Sequence, residues 1–159
     1  MEKNVKPIPE GYNAITPVLT VRDADKALDY YQKAFDAREL NRMPGPDGKI
    51  VHAELKIGNS IFMLCEESRT MGCLSPQSLK GTPVGLYLYV NDADAVFKKA
   101  VQSGGTQKEA VQDMFWGDRC GTLTDPFGHV WTVATRKKDL TPKEIAAGAE
   151  EFFLQASKA

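Results

Sequence analysis

The chain has 159 residues, of which 42% are hydrophobic and 26% charged, and its net charge is -1. That length fits a single domain, residues 1–159, able to bury a core without disulfides or metal. A near-neutral balance gives no electrostatic footprint for nucleic acid or an anionic membrane surface, so a small molecule or a second copy of the chain is the expected partner.

The elements follow in order. Residues 15–21, ITPVLTV, have the β-branched content of a strand, and Asp23 stands where a helix N-cap belongs. Ala24, Ala27, Leu28, Tyr31 and Phe35 then recur at helical spacing, one stripe facing a sheet. The MPGPDG stretch at 43–48 is a turn. Two strands follow, 49–57 and 60–66, joined by the tight Gly58-Asn59 loop. A polar segment at 66–82 is longer than a simple connector requires. Residues 84–90, VGLYLYV, form the next strand, Asp92 the next cap, and Ala93, Val96, Phe97, Ala100 and Val101 a second helical stripe that stops at Ser103-Gly104-Gly105. Thr141, Pro142 and Glu144 spell a capping box that opens a C-terminal helix over about 141–157, with Ile145, Ala149, Phe152 and Phe153 on one stripe.

The second half repeats the first. LTVRDAD at 19–25 matches LYVNDAD at 88–94 with an offset of 69 residues, Leu19 to Leu88, and the same offset pairs Ile61 to Leu64 with Val130 to Val133. Two copies of a βαβββ unit are therefore expected, the first over about 12–66 and the second over about 83–137. Each copy covers one face of its sheet with its own helix. Side by side they predict an α+β fold, a curved mixed sheet with a concave cleft and the helices outside.

These paired units, the strand running into RDADKALDYYQKAF, and GTLTDPFGHVWTV near the end resemble the vicinal oxygen chelate superfamily of glyoxalase I, bleomycin-resistance proteins and extradiol dioxygenases. The stretches Pro44 to Ile50, His52-Ala53-Glu54-Leu55 and Trp116 to Trp131 are closest to its glyoxalase/bleomycin-resistance-like subgroup. In metal-dependent members the resemblance implies four His or Glu ligands on the first and last strands of the two units. Aligned here, those positions fall on Thr16, Met63, Gly85 and Thr132, so no metal of the usual kind and no other cofactor is expected.

Strand alternation turns His52 and Glu54 together toward the cavity, as a general base with its orienting partner or as ligand hydrogen bonders, and sends Tyr87 and Tyr89 inward as well. Met63 and Thr132 add walls. Trp116 and Arg119 are placed at the cleft mouth, with Arg119 either holding a ligand or pairing with Asp118 or across a strand. Trp131 belongs to the helix-side core, Asp125-Pro126-Phe127-Gly128 is hairpin chemistry, and His129 lies at a turn or rim. Cys65, Cys73 and Cys120, an odd number without CxxC spacing, are expected as free thiols. The N-terminal residues lack the apolar stretch of a secretory signal, and no apolar run nears the ~20 residues of a membrane span, so a cytoplasmic location is expected. Three functions fit. The first is a homodimeric binding protein that sequesters a planar or hydrophobic compound, the alternative is a glyoxalase-like lyase or isomerase using His52 and Glu54 with or without a metal, and the third is a non-catalytic structural or regulatory dimer with an occluded cavity.

Overall fold

A computed structural model describes residues 5–157. The first repeat contains β1 (Val18–Val21), α1 (Ala24–Phe35), β2 (Arg38–Pro44), β3 (Ile50–Ile57) and β4 (Ser60–Glu66). A one-turn helix, α2 (Pro76–Leu79), precedes the second repeat, which comprises β5 (Gly85–Tyr89), α3 (Ala93–Gln102), β6 (Thr106–Asp113), β7 (Asp118–Thr124) and β8 (Val130–Arg136). The chain ends in α4 (Pro142–Ala156). The tandem βαβββ reading is what the structure contains, with the strands in two four-stranded mixed sheets, ordered β1-β4-β3-β2 and β5-β8-β7-β6. In each, the first strand runs parallel to the last and the remaining pairs are antiparallel.

Two compact units result. One holds residues 1–83 together with Pro126–His129, and the other holds Val84–Asp125 and Val130–Ala159. In the first, the α1 stripe of Ala24, Ala27, Leu28, Tyr31 and Phe35 is buried with Leu19, Val21, Ala53, Leu55 and Leu64 of the sheet. Each such large apolar side chain contributes roughly 1.5–3 kcal/mol by leaving water. Asp23 caps α1 by accepting from the Lys26 amide at 3.2 Å, and the helix stops at Asp36, whose φ of 53° breaks the helical path. In the second unit Phe97 and Ala100 of α3 are buried, as are Leu123, Trp131 and Val133. Trp131 takes the expected core position, 4% exposed, and its indole donates to Asp125 Oδ2 at 2.9 Å.

The stretch 126–129 does more than turn a hairpin. Phe127 is 6% exposed and sits edge-on to Tyr30, ring centroids 6.2 Å apart, and against Tyr31. His129 is buried rather than at a rim, its Nε2 donating to the Thr20 carbonyl at 2.9 Å. Gly128 has φ 91°, and a Cβ there would meet Pro76 Cβ at 2.8 Å, so this tip requires glycine for both backbone and space. The 66–82 segment is likewise anchored. Ser68 and Cys73 form a bridge, and the Glu67 carboxylate accepts from the backbone N–H and the hydroxyl of fully buried Ser75 at 2.7 and 2.6 Å. α4 carries the capping box read from the sequence, Thr141 and Glu144 each bonding to the other's backbone N–H. The three cysteines stand singly, Cys120 buried and Cys65 and Cys73 half-buried. Among the described residues no helix is long and apolar enough to cross a membrane.

Candidate functional site

Each sheet has one face under its helix and one face turned away, and the strand registers fix which side chains share the open face. In the first unit His52 lies opposite Cys65, which lies opposite Thr20, while Glu54 lies opposite Met63, which lies opposite Val18. Ala53, Leu55 and Ile57 are buried on the helix side as alternation requires, although Val51, expected with them, is 39% exposed. His52 Nε2 and Glu54 Oε1 are 3.7 Å apart, both side chains half-buried. The Tyr12 phenol hydrogen-bonds to Glu54, and burial first and that carboxylate second raise its pKa. Tyr12 precedes the first strand in irregular chain, where no periodicity flags it. Burial also raises the Cys65 thiol, whose sulfur lies 3.7 Å from the Thr20 hydroxyl.

The second unit is organised around one carboxylate. Asp118 is 2% exposed, and its Oδ2 accepts from Tyr87 Oη at 2.8 Å, Tyr89 Oη at 2.8 Å and Trp116 Nε1 at 3.2 Å. The Tyr87 and Tyr89 rings lie 5.2 Å apart at 51°, and they remain 47% and 58% exposed. Burial and then the bond to Asp118 push the Tyr87 phenol well above its ordinary range, and the Asp118 bond is the main cause of the rise at Tyr89. Thr132 lies between Tyr87 and Thr122, and its hydroxyl is 3.2 Å from that of Thr122, which donates to Glu109 Oε2 at 3.2 Å. Gly117, with φ 97°, turns the chain between Trp116 and Asp118, and a Cβ there would meet the Lys138 carbonyl oxygen at 2.6 Å. Trp116 also packs edge-on to Phe115, which touches Phe152 and Phe153 of α4.

Arg119 goes elsewhere. Its guanidinium binds Asp94 of α3 through Nε at 2.6 Å and Nη2 at 2.8 Å, and reaches Asp113, its cross-strand partner, at 3.3 Å. Asp118 is therefore not its partner. A cavity of about 430 Å³ beside the β6–β7 turn is lined by Asp113, Met114, Gly117, Asp118, Arg119, Lys137 and Lys138, and shares only Asp118 with the aromatic cluster. Sequence reasoning assigned Asp118 too narrowly. Counting by twos from Thr122, which faces Thr132, puts Cys120 and Asp118 on the side that Tyr87 and Tyr89 occupy.

Beside the four positions read from the sequence, Thr16, Met63, Gly85 and Thr132, the strand register pairs Val18 with Met63 and Tyr87 with Thr132. Neither set supplies imidazole or carboxylate, and among the described residues no three His, Cys, Asp or Glu side chains converge on a point. The residues present do not fit the usual metal of such folds.

Paired βαβββ units with polar and aromatic groups on their open faces define a protein of the glyoxalase-like α+β class. The model of the Glyoxalase/Bleomycin resistance protein/Dioxygenase superfamily matches residues 13–133, and the chain belongs to that superfamily. The uncharacterized protein Rv0887c of Mycobacterium tuberculosis is 44% identical over 150 residues, covering 92% of this chain and 85% of its own. Among solved structures, TioX from Micromonospora sp. ML1 is 29% identical with a TM-score of 0.61, covering 77% of this chain and 99% of that one. The Arabidopsis thaliana gene product At5g48480 is 27% identical with a TM-score of 0.64, covering 77% and 98%.

Proposed function

We propose that the protein binds a small planar or hydrophobic molecule on the open face of its second unit, as a sequestering protein that works without the usual metal site. The observation that carries this reading is the fixing of three aromatic side chains by one buried carboxylate while the Tyr87 and Tyr89 rings stay half exposed. A tyrosine on a solvated strand gains nothing from such restraint. A binding surface does, because side chains ordered in advance lose less rotamer freedom when a ligand arrives. Tyr87, Tyr89 and Trp116 supply stacking area, Thr132 a hydroxyl, and Arg119 holds β7 to α3. The measurement is calorimetric titration with acridine as a neutral planar probe. The parent binds it, and Trp116→Ala and Tyr87→Ala weaken it about ten-fold while each variant still unfolds in a single cooperative transition. Equal binding by parent and both variants sinks the reading.

The protein is further proposed to work in the cytoplasm as a homodimer. α4 buries none of its residues and leaves Phe152, Phe153 and Leu154 43%, 64% and 61% exposed, which supports association. A monomeric mass by light scattering at micromolar concentration overturns it. A second reading, a glyoxalase-like lyase or isomerase, is favoured by one observation: His52, Glu54 and the Tyr12 phenol meet on the open face of the first unit, with Met63 beside Glu54. There Glu54 accepts or orients a proton that His52 moves. Loss of turnover of a hemithioacetal in His52→Gln, with unchanged acridine binding, would establish it.

A further inference from the structure

The hydrogen bonds around Asp118 have a direction, and that direction selects a ligand. A phenol has one proton, and a carboxylate only accepts. Tyr87 and Tyr89 therefore give their protons inward to Asp118 Oδ2, and the Trp116 indole N–H is shared between that oxygen at 3.2 Å and the Tyr87 oxygen at 3.4 Å. What the two phenols offer outward is lone pairs and the negative faces of their rings. The cluster presents acceptors and π-density and withholds donors.

The charge on the same face has the same sign. Asp118 is buried, and Glu109 stands three strands from Tyr87 in a row with Thr122 and Thr132. Among the described residues no Lys, Arg or His nitrogen lies within ion-pair distance of either carboxylate. Three cations of this unit have carboxylate partners elsewhere. Arg119 is held by Asp94 and Asp113, Arg136, opposite Asp118 in the register, is held by Asp139 Oδ1 at 2.5 Å, and Lys137 acts on Asp94. Two aromatic rings set at an angle over a buried carboxylate that has no direct ion-pair partner, and on which Arg136 acts only at longer range, form a receptor for positive charge, since ring quadrupoles and the carboxylate attract a cation from the same side.

We propose that the Tyr87, Tyr89 and Trp116 cluster takes an organic cation with a flat aromatic body, such as an N-alkylated or protonated nitrogen heterocycle, with its charge over the tyrosine rings toward Asp118. This rests on the binding reading above and names the chemical class of its ligand. An N–H on such a ligand donates to the Tyr89 oxygen, whereas the Tyr87 oxygen already accepts from Trp116. Anionic molecules of the same shape are disfavoured by the same geometry.

Three bicyclic probes of matched shape separate the possibilities: N-methylquinolinium, 1-methylnaphthalene and 1-naphthoate, each titrated calorimetrically into the full chain. The cation is expected to bind about ten-fold more tightly than the neutral isostere, with the anion weakest. In Asp118→Asn, of nearly the same shape, the preference falls to under about three-fold while the neutral probe still binds. Added salt weakens the cation alone in the parent protein, a readout that needs no variant. If all three probes bind the parent equally, or the ten-fold preference survives Asp118→Asn, the cation assignment fails and the binding reading stands. If none of the three binds, both fail.

Discussion

The two repeats solve the same entry problem with equivalent residues and then part company on the open face. At the helix start, Glu66 in the first unit accepts the amide protons of Asp23 and Ala24, whereas Thr135, its partner at the 69-residue offset, accepts that of Ala93 and donates to the Val90 carbonyl. Asp23 and Asp92 each cap their helix by accepting from the amide three residues on, although Asp23 stands at φ 69° and Asp92 is extended. The core is conserved between the copies in the same sense, since Phe62 and Trp131, again 69 residues apart, are both buried. On the open face, however, Val18 and Thr20 stand where the second unit has Tyr87 and Tyr89, and His52 and Glu54 face their sheets where Cys120 and Thr122 do. Duplication kept what packs and released what does not.

The comparison breaks most visibly in the core. Phe62→Ala and Trp131→Ala are each expected to cost about 3–5 kcal/mol, read from urea denaturation midpoints. Trp131→Ala stands at the upper end, because it also removes one hydrogen bond from the buried Asp125 carboxylate. A Trp131→Ala cost under about 1 kcal/mol would mean that the two positions are not equivalent. Smaller effects are expected at the helix entries. Glu66→Gln and Thr135→Val should each destabilise by about 1 kcal/mol, the scale of a lost cap, and a difference between them measures how far a carboxylate outdoes a hydroxyl at a helix N-terminus.

The least costly perturbation is pH, and it should act on the two units from opposite ends. Bonds from the Ser75 hydroxyl, Ser78 and the Ser75 amide hold the Glu67 carboxyl down to about 2 from 4.5. Its contribution to the first unit is therefore complete above pH 4.5 and is lost as pH falls from there through about 2. Tyr87 and Tyr89 titrate above their ordinary value of 10, so their contribution to the second unit is complete below pH 10 and is lost as pH rises through the raised values. Hydrogen exchange followed at acid and alkaline pH checks this. Acid loosening of 67–79 and alkaline loosening around 87–89 and 116–118 are expected, and the reverse pattern refutes both assignments.

Much of this was legible in the chain. The repeat offset, the helical stripes, the capping box at Thr141 and the burial of Trp131 all follow from local spacing, because periodicity reports which face of an element is dry. The pairing of His52 with Glu54 and the shared orientation of Tyr87 and Tyr89 follow from alternation in a strand. What alternation does not report is partner choice across the sheet. Asp118 and Arg119 are neighbours in sequence with opposite charges, yet successive strand residues point to opposite faces, so one goes to the tyrosines and the other to Asp94. Tyr12 joins Glu54 from irregular chain, and Phe127 reads as a turn residue although it is a core residue delivered by a turn.

That last feature bears on how the protein is made. The first unit includes Pro126–His129, with Phe127 against Tyr30 and Tyr31 and His129 bonded to Thr20. During synthesis from the N-terminus, residues 1–83 emerge well before the aromatic side chain that completes their core, and the Tyr30 edge that meets Phe127 stays open until that residue has followed. The duplication visible in the sequence is thus not a pair of beads separable at the linker. A gene cut between residues 83 and 84 would yield an N-terminal product lacking a piece of its own interior.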